Sequence, residues 1–441
     1  MVKIGLLLLF LIIFLLIAYL INDRDIMAPS VLFIFGFILA VIAALINVKE
    51  WGIDLSYKTI VIIIFGNLSF LSADVVYKLI HKYRASGTEG KINEIKIESW
   101  KTCIVILIGI ITLILYYREI VRLSSYAESY WQKFGVMVAY KRAITYGSVS
   151  VNTFVNQMTK VVYSFGYIYS FIFMNNIFAL KGKYKFRRNL INLIPIIMYG
   201  IMSIVKGNRI DIMCLVVMLV FLYYMFLHTK IGWNKHISGK VLKKTIIIFA
   251  VGMVVFYYMK DLVGRVSSLN LLEYITQYIG GSIDLLDLYI RDGAKSITTV
   301  PFGETLTGLL KGIEKFGLVS VDIRKQLEFR YTSTGIYLGN VYTSLRRYYN
   351  DGGWLGLYLF PFILSYFMNF FYSKVRRYRR NNISQIYKII IYASLIYVIP
   401  FQAMEDSFWI NKVTIGYIVE LVILYICLKF IFLKIKINFD K

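Results

Sequence analysis

The sequence is poor in cysteine and histidine, and these shortages exclude several kinds of site. Its three cysteines, Cys103, Cys214 and Cys427, each lie within an apolar run, and no CxxC pair is present. Neither a disulfide framework nor a cysteine-based metal site is therefore predicted. All three histidines fall in or beside segments that we predict to face the cytoplasm. A histidine base at an outward-facing active site is therefore not expected.

Familiar catalytic motifs are missing as well. The chain contains no GxSxG, HExxH, P-loop or Rossmann glycine pattern, so the soluble-enzyme chemistries that use these motifs have no support. It also shows no internal repeat of fixed period. Secondary transporters often carry such a repeat, with broken spans at matching positions. Its absence argues against a transporter.

Apolar residues dominate what is present. They make up 58% of the 441 residues, and the mean hydropathy is +0.65, whereas soluble proteins hold about 45–50% apolar residues. They gather in runs of about 18–20 residues, the length that crosses a bilayer core. The first run, 4–21, is too long for a signal-peptide core and has no cleavage site after it, so we interpret it as a span. The sequence predicts an all-α polytopic integral membrane protein with about eleven transmembrane helices, within a range of about ten to twelve. The predicted spans are 4–21, 30–47, 59–77, 102–117, 161–180, 190–205, 211–228, 245–259, 353–372, 387–403 and 408–432.

The net charge of +25 does not indicate a nucleic-acid partner, because the basic clusters are short and separate the apolar runs. This is the positive-inside pattern, in which Lys and Arg keep short loops in the cytoplasm; binding of anionic lipid is the alternative. The segments predicted to be cytoplasmic are 78–101, 181–189, 229–244 and 373–386. Alternation then places the N-terminus outside, the C-terminus inside, and the following loops outside: 48–58, 118–160, 206–210, 260–352 and 404–407.

The predicted outside loop 260–352 divides the chain into three regions. Residues 1–259 would hold eight helices, and residues 353–441 the last three. The loop is long for a connection and carries 10 of the 25 Asp and Glu residues together with eleven bases. Within it, the spacing of apolar residues over 304–317 predicts an amphipathic helix on the membrane surface or over the bundle.

Two candidate sites carry basic residues that oppose the positive-inside trend. In 206-KGNRID-211, Lys206 and Arg209 flank a tight turn between two spans, where they could hold a phosphate or a carboxylate. A turn whose charges snorkel to the membrane surface is the alternative. In 340-NVYTSLRRYYNDGGWLG-356, Arg346, Arg347 and Asp351 precede a span. Anchoring by an interfacial aromatic belt is the alternative there.

Two acidic stretches are also candidates. Glu405 and Asp406 lie in a short predicted outside turn, where paired carboxylates can do acid–base work if their environments separate their pKa values. A solvated acid pair is the alternative. The stretch 23-DRD-25 has the DxD spacing that can bind a metal ion, but it is predicted to lie inside, in a very short loop. No metal site is predicted.

The chain resembles the Wzy-type oligosaccharide repeat-unit polymerases of bacterial envelopes. The stretch 340–356 is similar to that family's N-x-Y-T … Y-x-D-x-G-x-x-G signature, and 207-GNR-209 is similar to the G-x-R turn that the polymerases share with O-antigen ligases. The layout of spans with one large late outside loop is similar too. The ligases place a histidine in that loop, and this chain has none there.

The resemblance implies metal-independent, cofactor-free glycosyl transfer at the outer face of the bacterial cytoplasmic membrane. Undecaprenyl-diphosphate-linked oligosaccharides would be donor and acceptor, and a flippase and a chain-length regulator of the same pathway would be partners. A flippase or other transporter, and an O-antigen ligase-like glycosyltransferase, remain alternatives. The implied general base is one of Asp351, Glu405 and Asp406. The implied substrate-binding residues are Arg209, Lys206, Arg346, Arg347, Arg265, Asn340, Tyr342 and Tyr349.

Overall fold

Helices make up almost all of the regular structure in a computed structural model of the chain. The described residues are 1–81, 92–147, 149–180, 187, 189–235, 239–262, 269–293, 298, 300–318, 327–378 and 382–433. Within these ranges the only strands are β1 (Arg330–Tyr331) and β2 (Tyr337–Gly339), which pair antiparallel. The fold is that of an α-helical, multi-pass membrane protein.

Nine helices of the described residues are long and apolar enough to cross a membrane. Two more predicted spans, 190–205 and 245–259, coincide with shorter apolar helices, Leu190–Val205 and Ala250–Lys260. The number eleven therefore stays a prediction. The nine long segments are Val2–Ile21, Pro29–Ile46, Tyr57–His81, Ser99–Ser124, Thr153–Ala179, Arg209–Ile231, Ser344–Arg376, Ile383–Phe401 and Ile415–Phe432.

The chain forms two compact units. The first comprises Met1–Ser86, Leu269–Arg376 and Leu395–Ile418. Its helices are α1 (Val2–Ile21), α2 (Pro29–Ile46), α3 (Tyr57–His81), α11 (Leu271–Arg291), α12 (Thr307–Glu314), α13 (Ser344–Arg376), α15 (Val398–Phe401) and α16 (Ser407–Asn411).

The second unit comprises Gly87–Ser268, Arg377–Ser394 and Val419–Lys441. Its complete helices are α4 (Ser99–Ser124), α5 (Ser129–Gln132), α6 (Val136–Tyr146), α7 (Thr153–Ala179), α8 (Ile194–Val205), α9 (Arg209–Ile231) and α10 (Gly239–Leu262). It also contains most of α14 (Ile383–Leu395) and of α17 (Ile415–Phe432).

Close packing of α11 on α2 organises the core of the first unit. A Cβ at Gly280 would lie 2.5 Å from the backbone nitrogen of Ala44, so only glycine allows this approach. On the other side of α11, the Ser282 hydroxyl donates to the carbonyl of Ala403 at 2.8 Å. Helix α11 is thus fixed between α2 and the 402–406 turn, although it belongs to the segment predicted from sequence as a loop.

Helix α13 begins at Ser344, nine residues before the predicted span. Gly353 breaks it, because its φ of 54° and ψ of −138° are not helical, a conformation that glycine adopts without a Cβ clash. The Arg346–Asp351 stretch is therefore a short helix that ends at the kink, and the apolar helix continues beyond it. The predicted amphipathic helix at 304–317 is present as α12, which is shorter at both ends.

The last predicted span, 408–432, is divided in the structure. Helix α16 ends at Asn411, and α17 begins at Ile415. Asp406 starts α16 by accepting a hydrogen bond from the Trp409 amide at 3.0 Å. A side-chain cap of this kind satisfies one of the orphan amides at a helix start. The capped helix α16 is short and precedes the apolar helix α17.

The second unit is packed around tyrosines. Tyr199 lies against Gly166 of α7, where a Cβ would come within 2.7 Å of the Tyr199 Cβ. The hydroxyls of Tyr116 and Tyr140 are 2.8 Å apart and join α4 to α6. Helix α6 is thereby held in place beside the turn that precedes α9.

Candidate functional site

Arg346 forms a buried ion pair in the first unit. Its Nη1 lies 3.0 Å from Glu304 Oε2, and its Nη2 lies 2.9 Å from Glu328 Oε2. The side chains of Arg346 and Glu304 are 1% and 0% exposed, and that of Glu328 is 37% exposed. Burial alone would raise the pKa of Glu328. The charges of Arg346 and Arg330 outweigh this effect, so the pKa of Glu328 lies below its usual value. Two carboxylates therefore compensate the guanidinium.

Aromatic rings enclose the same guanidinium. Its carbon lies 4.0 Å from the Tyr289 ring centroid and 4.7 Å from that of Tyr342. Such cation–π contacts favour a desolvated arginine. The Tyr342 hydroxyl donates to the carbonyl of Glu328 at 3.1 Å, and Asn340 donates to Leu327 at 3.3 Å. Tyr342 and Asn340, both predicted to bind substrate, thus also hold the segment before β1.

Asp351 anchors backbone rather than an arginine. Its Oδ1 accepts from the amide of Glu304 at 3.2 Å, and its Oδ2 accepts from the amide of Thr305 at 2.6 Å. Asn350 donates to the Glu304 carboxylate at 2.5 Å, and Arg347 donates to the Glu304 carbonyl at 2.9 Å. We call this set, Arg346, Arg347, Asn350 and Asp351 around Glu304, the Glu304 clasp. The polar groups of the clasp stabilise the folded form of the long segment that precedes α13.

Tyr349 points to a different neighbourhood. Its ring lies 5.5 Å from that of Trp354, edge to face, and Lys58 Nζ lies 5.3 Å from its centroid. Tyr349 is therefore an aromatic contact of α3 and α13. Arg265, the remaining arginine predicted to bind substrate outside the turn at 206–209, lies outside the described residues.

The acid pair at 405–406 has two different environments. Asp406 is 1% exposed, and this burial raises its pKa to about 7. Glu405 is half-buried, and both acids interact electrostatically with Arg347. Nearby, the Tyr348 hydroxyl donates to Gln402 Oε1 at 2.6 Å. The environments are separated as acid–base work requires, yet the Asp406 carboxylate already caps α16.

In the second unit, the turn at 206–209 precedes α9. Gly207 has a φ of 68°, and Asn208 caps the helix by accepting from the amide of Ile210 at 3.3 Å. Arg209 is buried; its Nη1 donates to the carbonyl of Phe256 at 3.2 Å, and its guanidinium lies 4.3 Å from the Phe256 ring centroid. The predicted tight turn is confirmed as a helix start.

Three lysines converge on the same turn. A Cβ at Gly207 would lie 2.8 Å from Lys141 Nζ, so this side chain of α6 lies against the glycine. Lys206 Nζ lies 5.3 Å from the Tyr163 ring centroid. Lys160 of α7 interacts electrostatically with Lys206 and with Glu420 of α17. We call Lys141, Lys160, Lys206 and Arg209 the turn cations.

Carboxylates and backbone amides accompany the turn cations. The described acids of this region include Asp211, whose Oδ2 accepts from the Tyr163 hydroxyl at 2.9 Å, and Glu420, which interacts with Lys160. The first turn of α9 adds backbone amides and the positive end of a helix dipole, both of which favour an anion. The arrangement is suited to bind a phosphate group.

The sequence prediction missed Lys141, Lys160 and Glu420. Lys160 ends the predicted outside loop 118–160, directly before a predicted span, and Glu420 lies within the predicted span 408–432. The cost of a charge in a membrane is a signal that could have identified Glu420. Lys141 lies beside Arg142 on α6, more than sixty residues before the turn, so the local sequence does not connect it to the turn.

The 23-DRD-25 stretch closes the α1–α2 turn. The Asp25 carboxylate accepts from the Tyr372 hydroxyl at 2.6 Å and lies 3.6 Å from Arg376 Nη1. Asp25 thereby ties the turn to the end of α13. Among the described residues, no group of three or more His, Cys, Asp and Glu side chains is placed to hold a metal ion.

Comparison with known proteins gives no assignment: no family model, no curated protein and no solved structure matches the chain.

Proposed function

We propose that the protein joins undecaprenyl-diphosphate-linked oligosaccharide repeat units into a surface polysaccharide. The transfer would take place at the outer face of a bacterial cytoplasmic membrane. The observation that carries this proposal is the convergence of the turn cations beside the first turn of α9. The multi-pass helical architecture and the resemblance of 207–209 and 340–356 to the polymerase family support it.

The chemistry of the leaving group explains why cations are needed. In glycosyl transfer from a lipid diphosphate, the bond between the anomeric carbon and the diphosphate breaks, and negative charge develops on the departing oxygen. Fixed positive groups stabilise that charge most when they are oriented before the reaction. Arginine can grip a phosphate through two parallel hydrogen bonds, and lysine acts as a point charge. Arg209 with Lys141, Lys160 and Lys206 would supply both kinds of contact.

The Glu304 clasp has a different part in this proposal. Arg346 is compensated by Glu304 and Glu328, so it offers little net charge to a diphosphate. Breaking such a buried pair would also be costly. We infer that the clasp keeps the long segment before α13 folded, and that the turn cations bind the substrate phosphates.

A lipid-linked oligosaccharide flippase is the rival function, because the same cations would serve a transporter that binds a lipid diphosphate. The two functions differ in product. A polymerase makes a new glycosidic bond and releases undecaprenyl diphosphate, whereas a flippase moves the intact substrate between leaflets. One reconstituted system can therefore separate them.

The experiment uses purified full-length protein in liposomes. The substrate is the undecaprenyl-diphosphate-linked repeat unit that accumulates in cells from which the gene has been deleted. We expect a ladder of longer glycans and free undecaprenyl diphosphate. Movement of the repeat unit across the bilayer without a ladder would contradict the proposal and favour the flippase.

Variants of the turn test the site within that assay. Arg209→Ala should abolish the ladder, and Arg209→Lys, which keeps the charge, should retain part of it. The matched control is Lys133→Ala, which removes an exposed cation of the same unit away from the turn and should leave the ladder unchanged. A normal ladder from Arg209→Ala at normal protein level would remove Arg209 from the site.

A further inference from the structure

Three aromatic side chains lie exposed together on the β1–β2 hairpin of the first unit. Phe329, Tyr331 and Tyr337 are 45%, 60% and 46% exposed. Tyr337 is the cross-strand partner of Tyr331, and its ring contacts both of the others. The ring centroids of Phe329 and Tyr337 are 6.1 Å apart with nearly parallel planes, and those of Tyr331 and Tyr337 are 5.3 Å apart. We call these three rings the ring platform.

The rest of the hairpin fixes the platform to the first unit. Leu338, the neighbour of Tyr337, is buried, and a Cβ at Gly281 of α11 would lie 3.5 Å from its Cδ2. Gln277 of α11 donates to the carbonyl of Tyr337 at 2.5 Å. At the turn of the hairpin, the Thr334 hydroxyl donates to a backbone carbonyl of the α2–α3 connection at 2.8 Å. The rings are therefore positioned before any ligand arrives, which lowers the entropy cost of binding.

The surroundings of the platform do not suit a membrane. Among the described residues no third strand pairs with this hairpin, and open strand edges do not occur in the hydrocarbon region of a bilayer. Residues 327–340, all of which the structure describes, contain one base, Arg330, and it is paired with Asp292 and Glu328. An anionic lipid surface attracts clusters of basic side chains instead. The platform is therefore suited to a ligand that reaches it from water.

A sugar has the chemistry that this surface fits. A pyranose carries C–H bonds on its faces and hydroxyl groups around its rim. The C–H face packs on an aromatic ring, whose face carries partial negative charge. The hydroxyls of Tyr331 and Tyr337 can exchange hydrogen bonds with the rim, and the partly exposed carboxylates of Glu328 and Asp292 can accept them. Adjacent rings can take adjacent sugars of one chain.

We propose that the ring platform binds the sugar rings of the growing polysaccharide, and this inference rests on the polymerase function proposed above. A polymerase that holds its product adds the next repeat unit before the chain dissociates. The platform contributes contacts to the product and takes no part in bond making. It would therefore set the length of the glycan rather than the rate of a single transfer.

Direct binding tests the platform without the enzymatic reaction. The probe is the polysaccharide purified from cells that carry the gene, immobilised for bio-layer interferometry with the full-length protein in detergent. One aromatic contact is worth about 2- to 10-fold in affinity. A triple variant with alanine at Phe329, Tyr331 and Tyr337 should therefore bind about tenfold more weakly or worse. Tyr331→Trp, which keeps a ring, should retain most of the affinity.

The matched control replaces two tyrosines and a phenylalanine of similar exposure by alanine. These are Tyr126, Tyr130 and Phe134 of the second unit, which are 61%, 59% and 53% exposed, and this variant should bind as wild type does. Unchanged affinity of the platform variant, or an equal loss in the control, would overturn the proposal. In nanodiscs, Tyr331→Cys should react with a water-soluble maleimide. No reaction above the wild-type level would place the hairpin in lipid and would also overturn it.

The liposome assay separates this inference from the polymerase function. If wild type gives a ladder, the platform variant should form the first new bond at about the wild-type rate but stop at shorter glycans. Ladders of equal length would overturn the role of the platform and leave the polymerase function intact. If wild type gives no ladder, the polymerase function fails, and the platform then stands or falls as a glycan-binding surface by the binding measurement alone.

Discussion

Arg346 and Glu304 form an ion pair that is closed to solvent on both sides, with 3.0 Å between Nη1 and Oε2. Taking two charges out of water costs several kcal/mol per ion, and their attraction compensates for this only when the remaining donors and acceptors are satisfied. Asn350 satisfies the second carboxylate oxygen of Glu304, and Glu328 takes the second arm of Arg346. The pair therefore depends on the folded segment around it, and the segment depends on the pair.

Removing one partner of this pair should destabilise the protein strongly. Glu304→Gln would leave Arg346 buried with only the half-exposed Glu328 to balance it, at a cost of about 3–5 kcal/mol. Glu328→Gln should cost less, because water screens the exposed carboxylate. Urea or thermal unfolding of the purified protein in detergent measures both. Equal effects of the two substitutions would contradict the central position of Glu304 in the clasp.

Asp351 should prove to be a structural residue. Asp351→Asn keeps one oxygen that can accept from the amides of Glu304 and Thr305, so the clasp should be weakened only partly and most of the ladder activity should remain. Asp351→Ala removes both acceptors and should destabilise by about 1–3 kcal/mol. Ladder formation and unfolding are measured on the same preparations. A loss of activity of 100-fold or more in a stable Asp351→Asn protein would restore Asp351 as the general base.

Part of this molecule could be predicted from the sequence because it follows from local rules. Apolar runs of bilayer length locate the spans, and Gly207 and Asn208 identify the turn that starts α9. The partners of the arginines could not be predicted. Glu304 lies 42 residues from Arg346, and only the folded segment brings the carboxylate to the guanidinium.

The candidate site was likewise only partly predictable from the sequence. The turn itself was visible in the sequence, since bases there oppose the positive-inside trend. Lys141 and Glu420 reach the region from helices that are distant in the chain. Which charges neutralise each other is a property of the packing. The sequence could therefore place both Arg209 and Arg346 among the substrate-binding candidates, but it could not show that Arg346 is paired with Glu304 and Glu328.

The packing of α11 should depend on pH through Asp284. This residue is buried on α11, its Oδ2 has no hydrogen-bond partner, and burial together with the charge of Asp287 raises its pKa to about 7. On α11, Arg291 opposes the shift, and α2, which packs against this helix, carries no titratable residue. The folded protein therefore keeps a proton that the unfolded chain loses near its ordinary pKa of 3.8.

The sign of the pH effect follows from this difference. The stabilising contribution of protonated Asp284 is fully present below about pH 4 and is lost as the pH rises to about 7, at about 1.4 kcal/mol per pH unit. Hydrogen exchange of α11 should therefore be slower at pH 5.5 than at pH 7.5, after correction for intrinsic exchange. In Asp284→Asn, which cannot ionise, this difference should shrink. An unchanged pH dependence in that variant would assign the effect to another group, such as Asp406.

Lys141 should distinguish a diphosphate from a monophosphate. Its Nζ lies against Gly207 from a separate helix, so it adds a cation to the turn at a position distinct from Lys206 and Arg209. The second phosphate group of a diphosphate can contact this added cation, and a monophosphate has no such group. Lys141→Ala should therefore weaken binding of undecaprenyl diphosphate about tenfold or more, and binding of undecaprenyl phosphate much less. Both affinities can be measured by native mass spectrometry in detergent, with Lys133→Ala on the preceding segment as the matched control. An equal loss for both lipids would mean that Lys141 contributes only a general positive field, and no loss for either would place the lipid phosphates away from this turn.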